Sequence, residues 1–245
     1  MSTNNSQSTT KAPTCKFCGK PLVRKSGMLF GKPAFAGFEA CSCEGSVAAR
    51  AAAEEKEKAQ AKRGAEHRLC VKLERAGVMK RFQHALDPRS KELAAQLLNG
   101  QNVFISGSVG AGKTHLACAC ARTLISQGKN VQFTRAVALF DQIKRSFNND
   151  YDALAPYRTC DVLVLDDLGK QSSTPWSLER LFDLVDERYA RQLPTISTSN
   201  YTPRDLIVHL ACSHDLTLSQ SIVSRLLSNS IHITVACEDS RIKSI

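Results

Sequence analysis

The feature that most constrains this chain is the run Gly107-Ser108-Val109-Gly110-Ala111-Gly112-Lys113-Thr114. It fits the P-loop pattern, which works only between a strand and a helix. Both flanks comply: Val103-Phe104-Ile105 is a short apolar strand, and residues 114–126 have the spacing of a small-residue amphipathic helix. The glycines let backbone N–H groups turn inward around phosphate oxygens. The helix N-terminus adds its dipole and unpaired donors. Lys113 should then neutralise the β- and γ-phosphates of ATP, and Thr114 should ligate Mg²⁺. His115 follows as a nucleotide-binding rather than a catalytic residue.

The residues beyond about 82 alternate strand and helix signals. Strands are predicted at 131–133, 162–165, 195–198 and 231–235, and helices at 136–147, 178–191 and 222–227. That alternation argues for an α/β fold, a parallel sheet with helices on both faces. In Asp161-Val162-Leu163-Val164-Leu165-Asp166-Asp167-Leu168-Gly169, four apolar residues deliver two carboxylates to a strand's C-terminal edge, where open α/β sheets bind ligands. Asp166 would hold Mg²⁺ through water, and Asp167 would polarise the attacking water. In Pro194-Thr195-Ile196-Ser197-Thr198-Ser199-Asn200 the strand ends in a polar amide, and Asn200 can orient water between Asp166 and the γ-phosphate. Arg225 and Arg241 cannot be told from surface arginines by spacing. Cys118 and Cys120, among alanines in the helix after the P-loop, read as packing residues.

The front of the chain is different in kind. Residues 1–85 hold 16 Lys and Arg against 7 Asp and Glu, whereas 86–245 hold 17 against 16. A basic front favours an acidic partner, nucleic acid or an acidic protein face. Residues 1–13 are polar and low in complexity, so disorder is expected there. They contain no apolar signal-peptide core, and no apolar run approaches the roughly 18 residues of a membrane helix. A cytoplasmic location with reduced thiols follows as the expectation. Cys15-x-x-Cys18-Gly19 and Cys41-x-Cys43 then read as four thiolates for one tetrahedral Zn²⁺, stapling a hairpin unit over 14–45 too small to build its own core. Residues 46–81 are predicted as a charged helical arm, rich in Ala, Glu, Lys and Arg, weakened at Gly64 and broken at Gly77.

Residues 82–245 resemble an AAA+ ATPase of the DnaC/DnaI helicase-loader and IstB family. The resemblance rests on Gly107 to Leu116, Val164-Leu165-Asp166-Asp167-Leu168-Gly169, Leu193 to Tyr201, Ser224-Arg225-Leu226 and Ser240-Arg241-Ile242-Lys243. It implies Walker A at 107–114, Walker B at Asp166 and Asp167, and sensor 1 at Asn200. It further implies an arginine finger at Arg225 acting on a neighbour's nucleotide and sensor 2 at Arg241 acting on its own. Many AAA+ enzymes carry Glu where this chain has Asp167. Implied partners are a replicative hexameric helicase of the DnaB type, single-stranded DNA and further copies of the chain, with no membrane. Lys144 and Arg145 fall where this family resembles the initiator clade in touching single-stranded DNA, against a plain reading as a solvated helix face. The resemblance thus points to an ATP-dependent helicase loader. Its rivals are an IstB-type transposition helper and a non-hydrolysing ATP-switched adaptor.

Overall fold

The computed structural model of the protein describes residues 12–146, 152–211 and 215–236. They form two compact units that divide between Glu66 and His67.

In the first unit, β1 (Arg24–Leu29) and β2 (Lys32–Phe38) pair antiparallel around the two-residue turn Phe30-Gly31. Both turn residues have positive φ, 49° and 75°, the left-handed pair whose twist matches that of a hairpin. Helix α1 (Glu44–Arg75) follows, and its residues from His67 on belong to the second unit. It starts two residues before the expected 46 and runs through Gly64 unbroken, since one interior glycine costs only about 1 kcal/mol. Gly77 stops it with φ 89°, and a Cβ there would lie 2.4 Å from the Phe133 carbonyl.

In the second unit, β3 (Asn102–Gly107), β4 (Val131–Arg135), β5 (Val162–Leu168), β6 (Thr195–Ser199) and β7 (Ser230–Val235) form one parallel sheet in the order β4-β5-β6-β3-β7. The helices are α2 (Ser90–Leu98), α3 (Lys113–Ser126), α4 (Ala136–Ser146), α5 (Ala155–Thr159), α6 (Pro175–Ala190), α7 (Pro203–Ala211) and α8 (Leu216–Leu227). Successive strand residues face opposite sides of a sheet. Accordingly Val103, Ile105, Val162 and Val164 join one apolar cluster with α2, α3 and Leu73. Phe104, Leu163 and Leu165 join the other, with residues of α4 to α8. Both faces are covered, which explains the unbroken apolar run in β5. Each such side chain contributes about 1.5–3 kcal/mol by burial. Cys118 and Cys120 are fully buried in the first cluster, and burial pushes both thiols up.

Three helices, α2, α5 and α7, were not anticipated from periodicity, and two begin earlier than expected. Helix α6 starts at Pro175 rather than 178 because Thr174 caps it, accepting from the Ser177 amide at 3.1 Å. Helix α8 starts at Leu216 rather than 222, with Asp215 accepting from the Leu218 amide at 2.9 Å. The last residue of the helix expected at 136–147, the expected disorder over 1–11, and Arg241 lie outside the described residues. Among the described residues no helix is long and apolar enough to cross a membrane.

Candidate nucleotide and metal sites

The P-loop joins β3 to α3 at the C-terminal edge of the sheet. Gly110 and Gly112 take positive φ, 79° and 94°, which non-glycine residues rarely adopt. Gly107 is required for a second reason: a Cβ there would lie 2.1 Å from the Val235 carbonyl on β7. Lys113 is buried, and its Nζ donates to the carbonyls of Gly107 at 2.9 Å and Ser108 at 2.7 Å. An ammonium held by loop carbonyls at this place can exchange them for phosphate oxygens.

The Walker B segment reaches the loop through a bulge. Leu165 of β5 pairs with Ser197 of β6, but Leu168 pairs with Ser199. The longer step on β5 leaves one residue extra, and Asp167 sits there with φ 58°. In a regular strand Asp166 and Asp167 would face opposite sides of the sheet. Here both line one cleft.

Asp166 is 1% exposed. It accepts from Thr114 Oγ1 at 3.0 and 3.1 Å and from Thr198 Oγ1 at 2.7 Å. Burial raises its carboxyl pKa above the ordinary range, and the Asp167 charge adds to this; the two threonine hydroxyls and Lys170 oppose it. A buried carboxylate beside a threonine hydroxyl is a fitting oxygen-donor set for Mg²⁺. Asp167 donates its amide to Thr198 Oγ1 at 2.9 Å and pairs through its carboxylate with Lys170 Nζ at 2.8 Å.

The cleft has a volume of about 570 Å³, within the usual range for small-molecule sites. It brings together Val109, Gly110, Gly112, Lys113, Thr114, His115, Asp166, Asp167 and Asn200. His115 Nε2 donates to the Leu86 carbonyl at 3.0 Å. Met79, Arg81, Phe82, Arg135 and Lys170 also line the cleft and were missed in the sequence. Arg135 was findable, because it ends a strand on the ligand-binding edge. Arg225 does not line the cleft. It pairs with Asp186 at 2.5 Å and lies over the Phe182 ring, 4.7 Å from its centroid. Lys144 and Arg145 occupy the exposed end of α4, with Lys144 Nζ 5.7 Å from the Trp176 ring centre.

In the first unit the sulfurs of Cys15, Cys18, Cys41 and Cys43 lie within 4.8 Å of one another. Cys15 and Cys43 are 3.7 Å apart, Cys18 and Cys41 3.5 Å. Four sulfurs about 2.3 Å from one tetrahedral Zn²⁺ would be about 3.8 Å apart, so the donor set fits. The knuckle is folded by its backbone: the Gly19 amide donates to the Cys15 carbonyl and the Cys15 amide to the Lys20 carbonyl, both at 2.8 Å. The amides of Phe17 and Cys18 lower the Cys15 thiol to about 6, favouring thiolate. At Cys18 the Lys20 amide acts in the same direction, but the thiol's contact with Cys41, burial and the other cysteines push it up to about 11. Bound metal would hold all four as thiolates. We expect one zinc per purified chain by atomic absorption, and none in Cys18→Ser. Stripping the metal should melt the hairpin, seen as lost amide-exchange protection over β1 and β2, while nucleotide binding survives. Retention of that protection after zinc removal would refute the staple.

A family model described as "IstB-like ATP binding protein" matches residues 50–245. The chain belongs to this IstB-like ATP-binding family. Similar proteins include replicative helicase loaders and insertion-sequence ATP-binding proteins. The replicative helicase loader DnaI of Bacillus subtilis is 26% identical over 137 residues, 55% of this chain and 44% of that protein. The replicative helicase loader DnaC of Buchnera aphidicola is 29% identical over 161 residues, 63% of this chain and 62% of that protein. An insertion-sequence ATP-binding protein of Sinorhizobium fredii is 36% identical over 98 residues, 39% of this chain and 33% of that protein. The chain thus spans less than two thirds of these relatives' lengths. Among solved structures, DnaI superposes with TM-score 0.54 at 25% identity, covering 60% of this chain and 84% of that one. The DnaC helicase loader superposes with TM-score 0.52 at 25% identity, covering 64% and 100%. The second unit therefore has the AAA+ fold of these loaders.

Proposed function

We propose that this IstB-like protein is an ATP-dependent loader of a replicative helicase onto single-stranded DNA. The observation that carries the reading is the four-cysteine knuckle and its hairpin, joined to an AAA+ nucleotide site. The hairpin tip exposes Met28, Leu29 and Phe30, the last 97% exposed. Phe30 also holds φ 49°, a conformation that costs energy for a bulky residue. Lys32 adjoins the turn, paired across the hairpin with Leu29. A strained aromatic held out in water beside Lys32 suits docking into an apolar pocket on an acidic protein face.

In the second unit, Lys113 would bind the β- and γ-phosphates. Thr114 and Asp166 would hold Mg²⁺, which when bound supplies positive charge to the phosphate oxygens. Asp167 would accept hydrogen-bonded water, released from Lys170, and Asn200 would orient that water. Arg225, absent from its own cleft, would act on a neighbour's nucleotide in an assembly, leaving Asp186 to do so. Arg241 would be the sensor of the chain's own nucleotide, and Lys144 and Arg145 candidate contacts to single-stranded DNA. The compartment would be the cytoplasm.

The test is co-elution of the zinc-replete protein with the replicative helicase of the same cell, with and without Mg·ATP. We expect a stable complex, lost in Cys15→Ser/Cys18→Ser and weakened at least tenfold in Phe30→Ser, as for a typical aromatic anchor. No complex in any nucleotide state would overturn helicase loading. The second reading, delivery of a transposase to duplex DNA, would then lead; the 36% identity to an insertion-sequence ATP-binding protein favours it.

A further inference from the structure

Past the Walker B bulge, the chain is fastened to the end of β6 by contacts that lie outside the cleft. Ser199 Oγ donates to the Leu168 carbonyl at 2.7 Å and accepts from the Tyr201 amide at 3.1 Å. His209, on α7, donates from Nε2 to the Gly169 carbonyl at 2.6 Å. The same imidazole stacks on Tyr201, with ring centroids 4.2 Å apart and planes 22° apart. Gly169 closes the arrangement. It has φ 97°, and a Cβ on it would lie 2.9 Å from the Tyr201 ring.

The sequence positions matter. Gly169 is two residues after Asp167, and Tyr201 is the residue after Asn200. Asp167 and Asn200 line the cleft, whereas Gly169, Tyr201 and His209 do not. His209 therefore grips both chain segments that present the polar groups for water, from behind. The grip needs a flat ring and a hydrogen-bond donor in one side chain, which imidazole provides. Asp167 needs it more than most residues, because its left-handed backbone is strained and persists only where its surroundings fix it.

We propose that His209 is a positioning residue for ATP hydrolysis, setting the separation of Asp167 and Asn200 through Gly169 and Tyr201. This rests on the hydrolysis reading above. Misplacing a catalytic group by about 1 Å can cost up to about a hundredfold in rate, and that loss falls on turnover rather than on binding of nucleotide, whose phosphates are held by the P-loop.

The experiment is steady-state ATP hydrolysis by the full chain, zinc-replete and with single-stranded DNA present, for wild type, His209→Phe and His209→Gln, alongside their melting temperatures. Phe keeps a ring without the donor; Gln keeps a donor without the ring. We expect His209→Phe to lower kcat between about tenfold and a hundredfold, with KM for ATP within about twofold of wild type. His209→Gln should recover part of that kcat, because the Gly169 carbonyl regains its donor. A wild-type kcat in His209→Phe would overturn the assignment. So would a fall in kcat matched by a rise in KM and a lower melting temperature in both variants, since His209 would then only anchor α7. A wild-type protein that binds ATP without turning it over would instead overturn the hydrolysis reading, and the role of His209 with it.

Discussion

Asp166→Asn is expected to abolish ATP turnover and to make the nucleotide-free protein more stable. Turnover should fall by at least about 10²–10³-fold, the scale for removing one group that stabilises charge at the reacting phosphate. The stability gain comes from the same burial. Asp166 is 1% exposed, its neighbour Asp167 is also a carboxylate, and burial holds its pKa above the ordinary range. An asparagine can still accept from Thr198 and meet Thr114 without the desolvated charge. A gain of about 1 kcal/mol would raise the melting temperature by about 2–4 °C at this chain length.

The sign of the pH effect follows from the direction of the shift. A carboxyl with a raised folded pKa binds its proton more tightly in the native state than in the unfolded chain, where the value is about 3.9. Its charge therefore costs stability above the folded value, and the cost fades as pH falls through it. The melting advantage of Asp166→Asn should be greatest near pH 7 and shrink as the pH is lowered. Saturating Mg·ATP should reverse the order, because a ligand at a hundred times its dissociation constant adds about 2.7 kcal/mol to the form that binds it. A variant less stable than wild type without nucleotide would show that Asp166 is a structural residue first.

Much of this site was legible because its parts are local. The P-loop specifies its glycines, lysine and threonine within eight residues, and the flanking strand and helix are visible by period. The cysteine pairs were legible for the same reason, each being a short knuckle. The bulge at Asp166 and Asp167 was not legible, because it exists only as a mismatch of register with β6, a strand about 30 residues later. Two adjacent acids at a strand end gave no hint that both would line one cleft. Some misses did have signals. Thr202-Pro203-Arg204-Asp205 opens α7 with a side-chain cap: Thr202 Oγ1 accepts from the Asp205 amide at 3.2 Å and donates to its carboxylate at 2.7 Å. Thr174-Pro175 similarly announces α6, three residues before its periodic apolar residues begin. Arg188 had no signal at all. It stands near the end of an amphipathic helix, where an arginine ordinarily sits in water against the dipole.

In the fold Arg188 is 1% exposed. Its guanidinium donates to the carbonyls of Tyr157 at 2.7 Å, Cys160 at 3.0 Å and Pro194 at 2.7 Å, and to Thr195 Oγ1 at 3.1 Å. Burial lowers its pKa, yet a guanidinium stays protonated at any working pH. Those acceptors end α5 and begin β6, so a single side chain ties the chain entering β5 to the chain entering β6. Arg188→Met fills similar volume and leaves buried carbonyls without donors. We expect a loss of several kcal/mol, about 1–3 kcal/mol for each buried acceptor left without its donor, and a melting temperature lower by about 10 °C. Arg188→Lys should recover little, because an ammonium is a compact point charge that cannot span acceptors placed around a planar fork. A variant melting within about 2 °C of wild type would refute the role. The consequence reaches the nucleotide cleft along β6. Thr195 begins the strand that carries Thr198 to Asp166 and ends beside Asn200. If Arg188 sets the register of that strand, Arg188→Met should lose kcat even at temperatures where it is folded. If only stability falls, the bulge and the Thr198 hydrogen bonds hold the register by themselves.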